Sequence, residues 1–120
     1  KTTLVQGIAA GWGSLDPVSS PTFVLVKVYR RADEQRFYHL DAYRLSGPAE
    51  AIDLDLDDMI AGGPLVVEWA DRIESALPDD RLWVSMKWLD ETRRHLLFSP
   101  QGDDYKKLVR TFRDQILGAS

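Results

Sequence analysis

The chain has 120 residues, 44% of them hydrophobic, and no cysteine. These totals indicate one domain with a substantial core, and they exclude a disulfide framework or a thiolate metal site. The net charge of −4 argues against a stand-alone nucleic-acid binder, because such domains usually carry a basic surplus. No apolar run is long enough for a membrane span, and the first residues do not form a signal peptide.

The first third of the chain predicts a helix followed by a β-hairpin. Apolar residues at helical spacing indicate a helix over residues 2–10, which Gly11 and Gly13 would stop. Alternating apolar residues indicate a strand over residues 23–29. A polar turn then leads into a second strand, Arg36–Asp41.

The rest of the chain predicts short helices, a buried strand, a second hairpin and a last helix. Residues 46–48 open a short helix, and the glycines and proline at 62–64 interrupt the chain before an apolar run that ends in Glu68. Such a continuous run is typical of a strand buried on both faces. The second hairpin is expected over 81–89 and 93–99. An amphipathic helix is then marked by Tyr105, Leu108, Val109, Phe112 and Ile116.

The predicted fold is therefore α/β: one domain over residues 1–120, with a mixed sheet flanked by helices and with β-hairpins. Lys1, Thr2 and Thr3 stand directly before the first helix, as do the last residues of a phosphate-binding loop. The strand and glycines that precede them in such a loop are not in the chain. We expect an N-terminally incomplete P-loop domain; the alternative for these three residues is an ordinary helix start.

Two acidic residues close predicted strands. Glu68 ends the apolar run and Asp41 ends the second strand, and ligands of open α/β sheets bind at the carboxyl ends of strands. Alternatively, Glu68 caps the next helix or faces solvent, and Asp41 pairs with Arg44 in a local turn. His39 alternates with Asp41 on one strand face, where a structural side chain is commoner than a metal ligand.

Three other segments give weaker signals. The hydroxyl-rich loop at 19–23, which contains Thr22, suits either a switch that senses a phosphate or a plain strand-entry turn. The acidic run at 53–58 lacks the glycine and glutamate of a calcium loop, so we interpret it as a solvated face and helix cap. The last helix has a basic stretch that suits a solvated face or a contact with RNA or a partner protein: Lys106, Lys107, Arg110 and Arg113.

Several of these motifs occur together in one family. The string Tyr-His-Leu-Asp-Ala-Tyr-Arg-Leu at 38–45 follows Ser-Pro-Thr-Phe at 20–23 and precedes Glu68 and Trp69, with Arg72 and the Leu-Pro pair at 77–78 beyond. Their order and spacing resemble those of the TsaE family over residues 1 to about 85. Members are bacterial P-loop ATPases of tRNA threonylcarbamoyladenosine biosynthesis.

The resemblance implies a cytoplasmic ATPase that works with TsaD-like and TsaB-like proteins. Those partners attach a threonylcarbamoyl group to the adenosine beside the anticodon. The implied role of the TsaE protein is to reset them through ATP binding and hydrolysis. Contact with tRNA would then be indirect or made through the complex, and no membrane is involved.

The resemblance also implies roles for individual residues, with ATP and Mg²⁺ as cofactors. Lys1 would hold the β- and γ-phosphates, and Thr2 and Glu68 would bind the metal. Asp41 would be the catalytic or water-orienting carboxylate, with Glu68 as the second acid. Other residues of the matching motifs would line the nucleotide site or support it: Thr3, Thr22, Tyr43, Arg44 and Trp69.

Two positions depart from the family pattern. Asp55 stands where the family usually has glycine, and Ala70 replaces the proline that commonly follows Glu-Trp. Neither change removes a proposed catalytic atom. Two other functions remain open for the chain: a non-catalytic module that binds the same partners, and another small P-loop NTPase.

Overall fold

The structure is a computed structural model that describes residues 2–16, 26–43, 45, 47, 49 and 55–117. The chain divides into two compact units, Lys1–Leu77 and Pro78–Ser120. In the described ranges, no helix is long and apolar enough to cross a membrane. Whether the whole chain forms a single domain stays a prediction.

The first unit is built on a mixed three-stranded sheet in the order β1-β2-β3. β1 pairs antiparallel with β2, so that Val26 lies opposite Leu40. β2 pairs parallel with β3, beginning with Tyr38 opposite Leu65. The strands are β1 (Val26–Arg30), β2 (Arg36–Asp41) and β3 (Leu65–Glu68).

Helix α1 (Thr2–Trp12) packs on one face of this sheet. Val5 forms a buried cluster with Tyr29 and Phe37, against which Trp12 also packs. The helix stops because Gly13 adopts a φ of 99°, a conformation that residues with a Cβ rarely tolerate, and its N–H still bonds back to the carbonyl of Ala9.

The opposite face of the sheet carries the larger apolar cluster. Its buried members include Leu40 of β2, Leu56 of helix α2 (Leu56–Gly62) and Ile73 of the 3₁₀ helix η1 (Ala70–Ala76). Successive strand side chains point to opposite faces, so Leu40 joins this cluster while Phe37 and His39 point toward the α1 face.

The second unit consists of a hairpin and one helix. β4 (Arg81–Trp88) pairs antiparallel with β5 (Arg94–Gln101) over their full lengths. Helix α3 (Asp103–Ile116) follows, with Asp103 and Asp104 in its first turn, where the helix dipole favours acids. Phe112 contacts Phe98 of the hairpin, with ring centroids 5.5 Å apart.

The structure confirms three predictions made from the sequence: the α/β fold, both hairpins and the last helix. The expectation that β3 is buried on both faces is wrong for the described chain: Leu65, Val66 and Val67 are only half-buried. In the described part of the sheet β3 has a strand neighbour, β2, on one side. Most of the short helix expected to open at 46–48, and part of the first strand, lie outside the described residues.

Candidate active site

The two strand-end carboxylates predicted from the sequence come together in the structure. β2 and β3 run parallel, and their register places Asp41 directly opposite Glu68 at the carboxyl ends of both strands. The backbone continues this pairing beyond the strands, because the N–H of Ala42 donates to the carbonyl of Glu68 at 2.9 Å. The two acids therefore lie side by side on one edge and one face of the sheet.

Glu68 is held from inside the protein by a histidine. Nε2 of His39 lies 2.7 Å from Oε2 of Glu68, and the side chains are 0% and 8% exposed. The contact is diagonal across the parallel pair, since His39 is in register with Val66, two residues before Glu68. Glu68 thus neither faces solvent nor caps the next helix: η1 has no side-chain cap hydrogen bond.

Asp41 is partly exposed and uses one oxygen locally. Its Oδ1 accepts a hydrogen bond from the N–H of Tyr43 at 3.0 Å, which forms an Asx turn after β2. Among the described residues, no donor bonds to Oδ2. The proposed pairing of Asp41 with Arg44 lies outside the described residues. One carboxylate oxygen thus shapes the loop, and the other accepts no hydrogen bond from the described residues.

Helix α1 lies over the face of the sheet that carries the two acids. Its last residue, Trp12, packs on Phe37 near the start of β2, with centroids 5.6 Å apart, and Leu15 N–H donates to the carbonyl of Arg30. The helix rises about 15 Å from Thr2 to Trp12. This is close to the roughly 13 Å from Phe37 to Asp41 along β2. Since Val5 is buried with Phe37, and Val66 packs against the same cluster, α1 lies over the face of the sheet that carries the two acids.

Aromatic residues connect the loops that follow the two strands. The rings of Tyr43 and Trp69 are 5.0 Å apart, and the guanidinium of Arg72 lies 5.1 Å from the Tyr43 ring. Trp69 has a left-handed backbone, with a φ of 58°, which is rare for so bulky a residue. The cluster fixes the loop after Asp41 to the turn after Glu68.

The remaining site residues predicted from the sequence are only partly described. Thr3 is exposed in the first turn of α1. Within the described ranges, no group of three or more His, Cys, Asp or Glu residues is placed to hold a metal ion. Four members of the predicted set lie outside the described part: Lys1, the Thr2 side chain, Thr22 and Arg44.

The contact between His39 and Glu68 was not predicted. A lone histidine at such a position favours a structural role, and the structure confirms that the His39 imidazole is buried and hydrogen-bonded. Its partner is 29 residues away in the chain, and only the parallel pairing of β2 with β3 brings the two together. The alternation of His39 with Asp41 was the available signal, because it placed the imidazole on the face of the carboxylates.

Comparison with known proteins gives consistent matches. A family model described as "Threonylcarbamoyl adenosine biosynthesis protein TsaE" matches residues 1–96. The tRNA threonylcarbamoyladenosine biosynthesis protein TsaE of Bacillus subtilis is 38% identical over 109 residues, which are 90% of this chain and 67% of that protein. The protein of the same name from Treponema pallidum is 34% identical over 80% of this chain and 70% of its own length.

A solved structure agrees with these matches. The crystal structure of Bacillus subtilis YdiB superposes with a TM-score of 0.73 at 32% identity, over 96% of this chain and 70% of that one. A TsaE protein from Streptomyces coelicolor is 43% identical over 68% of this chain and 57% of its own length. Because the family model matches most of the chain, the chain belongs to the TsaE family of tRNA threonylcarbamoyladenosine biosynthesis proteins.

Proposed function

We propose that this protein is an Mg²⁺-dependent ATPase that serves the TsaD–TsaB complex in tRNA threonylcarbamoyladenosine biosynthesis. The observation that carries the proposal is the parallel register that sets Asp41 beside Glu68, on the face over which α1 lies. An acid at the carboxyl end of a strand is in the place where phosphoryl-transfer sites of α/β sheets hold metal and phosphate. Family membership supports the pathway. The TsaD-like and TsaB-like partners and the indirect contact with tRNA are part of the proposal.

The residues fit a magnesium ion held jointly with a nucleotide. Mg²⁺ is usually bound by one or two carboxylates together with water and substrate phosphates, so a three-residue protein cluster is not needed. Glu68, with the Thr2 hydroxyl, would hold the ion. When bound, Mg²⁺ would neutralise charge that develops on the phosphate oxygens.

The chain's own groups have separate tasks in the proposed reaction. Lys1 binds the β- and γ-phosphates, while Thr3 and Thr22 line the nucleotide site. The Oδ2 oxygen of Asp41 accepts a hydrogen bond from the attacking water and so orients it, while Oδ1 stays in the Asx turn. Tyr43 and Trp69 keep the two strand-end loops together; Arg44 belongs to the same motif.

The test is the exchange Glu68→Gln, measured in a protein that carries a complete Gly-rich loop ahead of Lys1. Glutamine keeps an oxygen that accepts from His39 and loses the charge that binds the metal. We expect Mg²⁺-dependent ATP hydrolysis to fall at least 100-fold, a loss on the order of 3 kcal/mol of transition-state stabilisation. Thermal unfolding should show that the fold persists.

Glu91→Gln is the matched control, because Glu91 is exposed in the β4–β5 turn. Its turnover should equal that of the wild-type protein. Turnover that is unchanged in Glu68→Gln would contradict the assigned role of Glu68. If the wild-type protein hydrolyses no ATP and still captures a TsaD-like or TsaB-like partner without nucleotide, the non-catalytic binding module replaces the proposal.

A further inference from the structure

We infer that His39 is a positioning residue for Glu68: it donates a hydrogen bond from Nε2 to Oε2 and so directs the other oxygen of the carboxylate toward the ligand edge. The inference rests on the proposed function and extends it to a residue that contacts neither nucleotide nor metal. Three observations carry it: the short contact, the burial of both groups and the state of the second ring nitrogen.

The contact is short and shielded from water. The 2.7 Å separation of Nε2 and Oε2 is typical of a hydrogen bond to a charged acceptor. His39 is fully buried and Glu68 nearly so, so bulk water cannot replace the imidazole as a donor to Oε2. A carboxylate that accepts one fixed hydrogen bond has fewer orientations open to its second oxygen.

The second ring nitrogen identifies the donor. Nδ1 of His39 is buried and has no hydrogen-bond partner among the described residues. A neutral imidazole carries one N–H and one lone pair. An ionised carboxylate only accepts hydrogen bonds, so the 2.7 Å contact between Nε2 and Oε2 needs a hydrogen on Nε2. The hydrogen therefore belongs on Nε2, where the carboxylate accepts it.

The position of the contact relates it to the site. Glu68 turns Oε2 inward to His39, and no described residue bonds to Oε1. Asp41 is the register partner of Glu68 at the same strand ends. Removing a histidine or carboxylate that hydrogen-bonds to a metal ligand typically lowers the metal affinity about 10- to 100-fold.

The first experiment is ¹⁵N NMR of the histidine rings in the unmodified protein. The chain has two histidines, and His95 is exposed on β5, so it serves as the internal reference. We expect His39 to show a protonated Nε2 and an unprotonated Nδ1. A hydrogen on Nδ1 alone would overturn the inference, because Nε2 would then accept rather than donate.

The second experiment measures how much Mg²⁺ strengthens nucleotide binding, as the ratio of ATP-analogue Kd values in EDTA and in Mg²⁺. It uses the protein with a complete Gly-rich loop. His39→Phe keeps a ring of similar shape without a donor and should reduce the ratio about tenfold or more. His39→Gln offers an amide donor and should restore part of the lost Kd ratio. His95→Phe should behave as wild type.

The outcomes separate the inference from the proposed function. An equal ratio in wild type and His39→Phe overturns the positioning role and leaves the ATPase proposal in place. A wild-type affinity that does not respond to Mg²⁺ overturns the proposed function, and the positioning role with it. The inference is supported if the Kd ratio falls in His39→Phe and partly recovers in His39→Gln, even if His39→Phe has a lower Tm. A purely structural defect would not be repaired by restoring a hydrogen-bond donor.

Discussion

Asp41 and Glu68 lie next to each other, but the protein surrounds them differently. Glu68 is 8% exposed and bonded to His39 from within. Asp41 is partly exposed and bonded only to the backbone of its own loop in the described structure. The first carboxylate is thus fixed in place, and the second is open to water. This difference suits a metal-binding acid beside an acid that orients water.

The two oxygens of Asp41 can be tested separately. Asp41→Asn keeps an oxygen for the N–H of Tyr43 and loses the charge, whereas Asp41→Ala also loses the turn. We expect both variants to lose ATP hydrolysis by at least tenfold, measured as kcat. Only Asp41→Ala should also lose stability, by about 0.5–1.5 kcal/mol for one hydrogen bond.

Chemical denaturation of both variants supplies the stability measurement. Wild-type kcat in Asp41→Asn would remove Asp41 from the reaction. Equal stability of the two variants would mean that the Asx turn contributes nothing to folding.

At the scale of elements, the entry into β3 depends on a glycine. Gly63 lies between α2 and β3, and a Cβ at this position would collide with the carbonyl oxygen of Arg36. The next residue, Pro64, accepts from Tyr38 N–H at 2.8 Å and so begins the parallel pairing. A side chain at position 63 would push apart the strands whose far ends hold the two carboxylates.

We expect Gly63→Ala to destabilise the fold by about 1–3 kcal/mol, as overpacking usually does. Gly7→Ala is the matched control: Gly7 lies within α1 and a Cβ there meets no atom within 4 Å. Alanine should stabilise that helix by roughly 0.5–1 kcal/mol. Urea unfolding of both variants measures the difference, and effects of the same sign would contradict the packing at Gly63.

The sequence predicted most elements because their signals are local. The strand predicted over Arg36–Asp41, after the polar turn, has the same bounds in the structure. The apolar run before Glu68 indicated a strand correctly but its burial wrongly, because burial depends on which elements cover the strand. The contact of His39 with Glu68 depends on a register between distant strands, which no local pattern specifies.

At the scale of the whole molecule, the buried residues of the described chain all lie in the Lys1–Leu77 unit. Leu40 is fully buried at the centre of the larger cluster, whereas Leu97 in β5 is 55% exposed. Side chains in Pro78–Ser120 reach at most partial burial in the described range. The stability of the fold should therefore respond mainly to substitutions in the first unit.

Leu40→Ala should cost about 2–5 kcal/mol, the usual range for a buried leucine. Leu97→Ala should stay within about 0.5 kcal/mol, since its side chain is already largely solvated. Denaturant unfolding curves of the two variants measure the contrast. A similar loss in both would show that the hairpin contributes as much packing as the sheet of the first unit.

The mixed sheet also has a consequence for how the protein folds. β1 and β2 are joined by a short turn, so their pairing closes quickly, on a scale of about 1–10 μs for a hairpin. β2 and β3 are parallel, and the chain must cross over through α2 before Tyr38 can meet Leu65. Such non-local pairing is slower, because the entropy of closing the loop is lost before contacts compensate for it. Asp41 and Glu68 meet only through this later step, so the candidate site exists only in molecules that have completed the crossover.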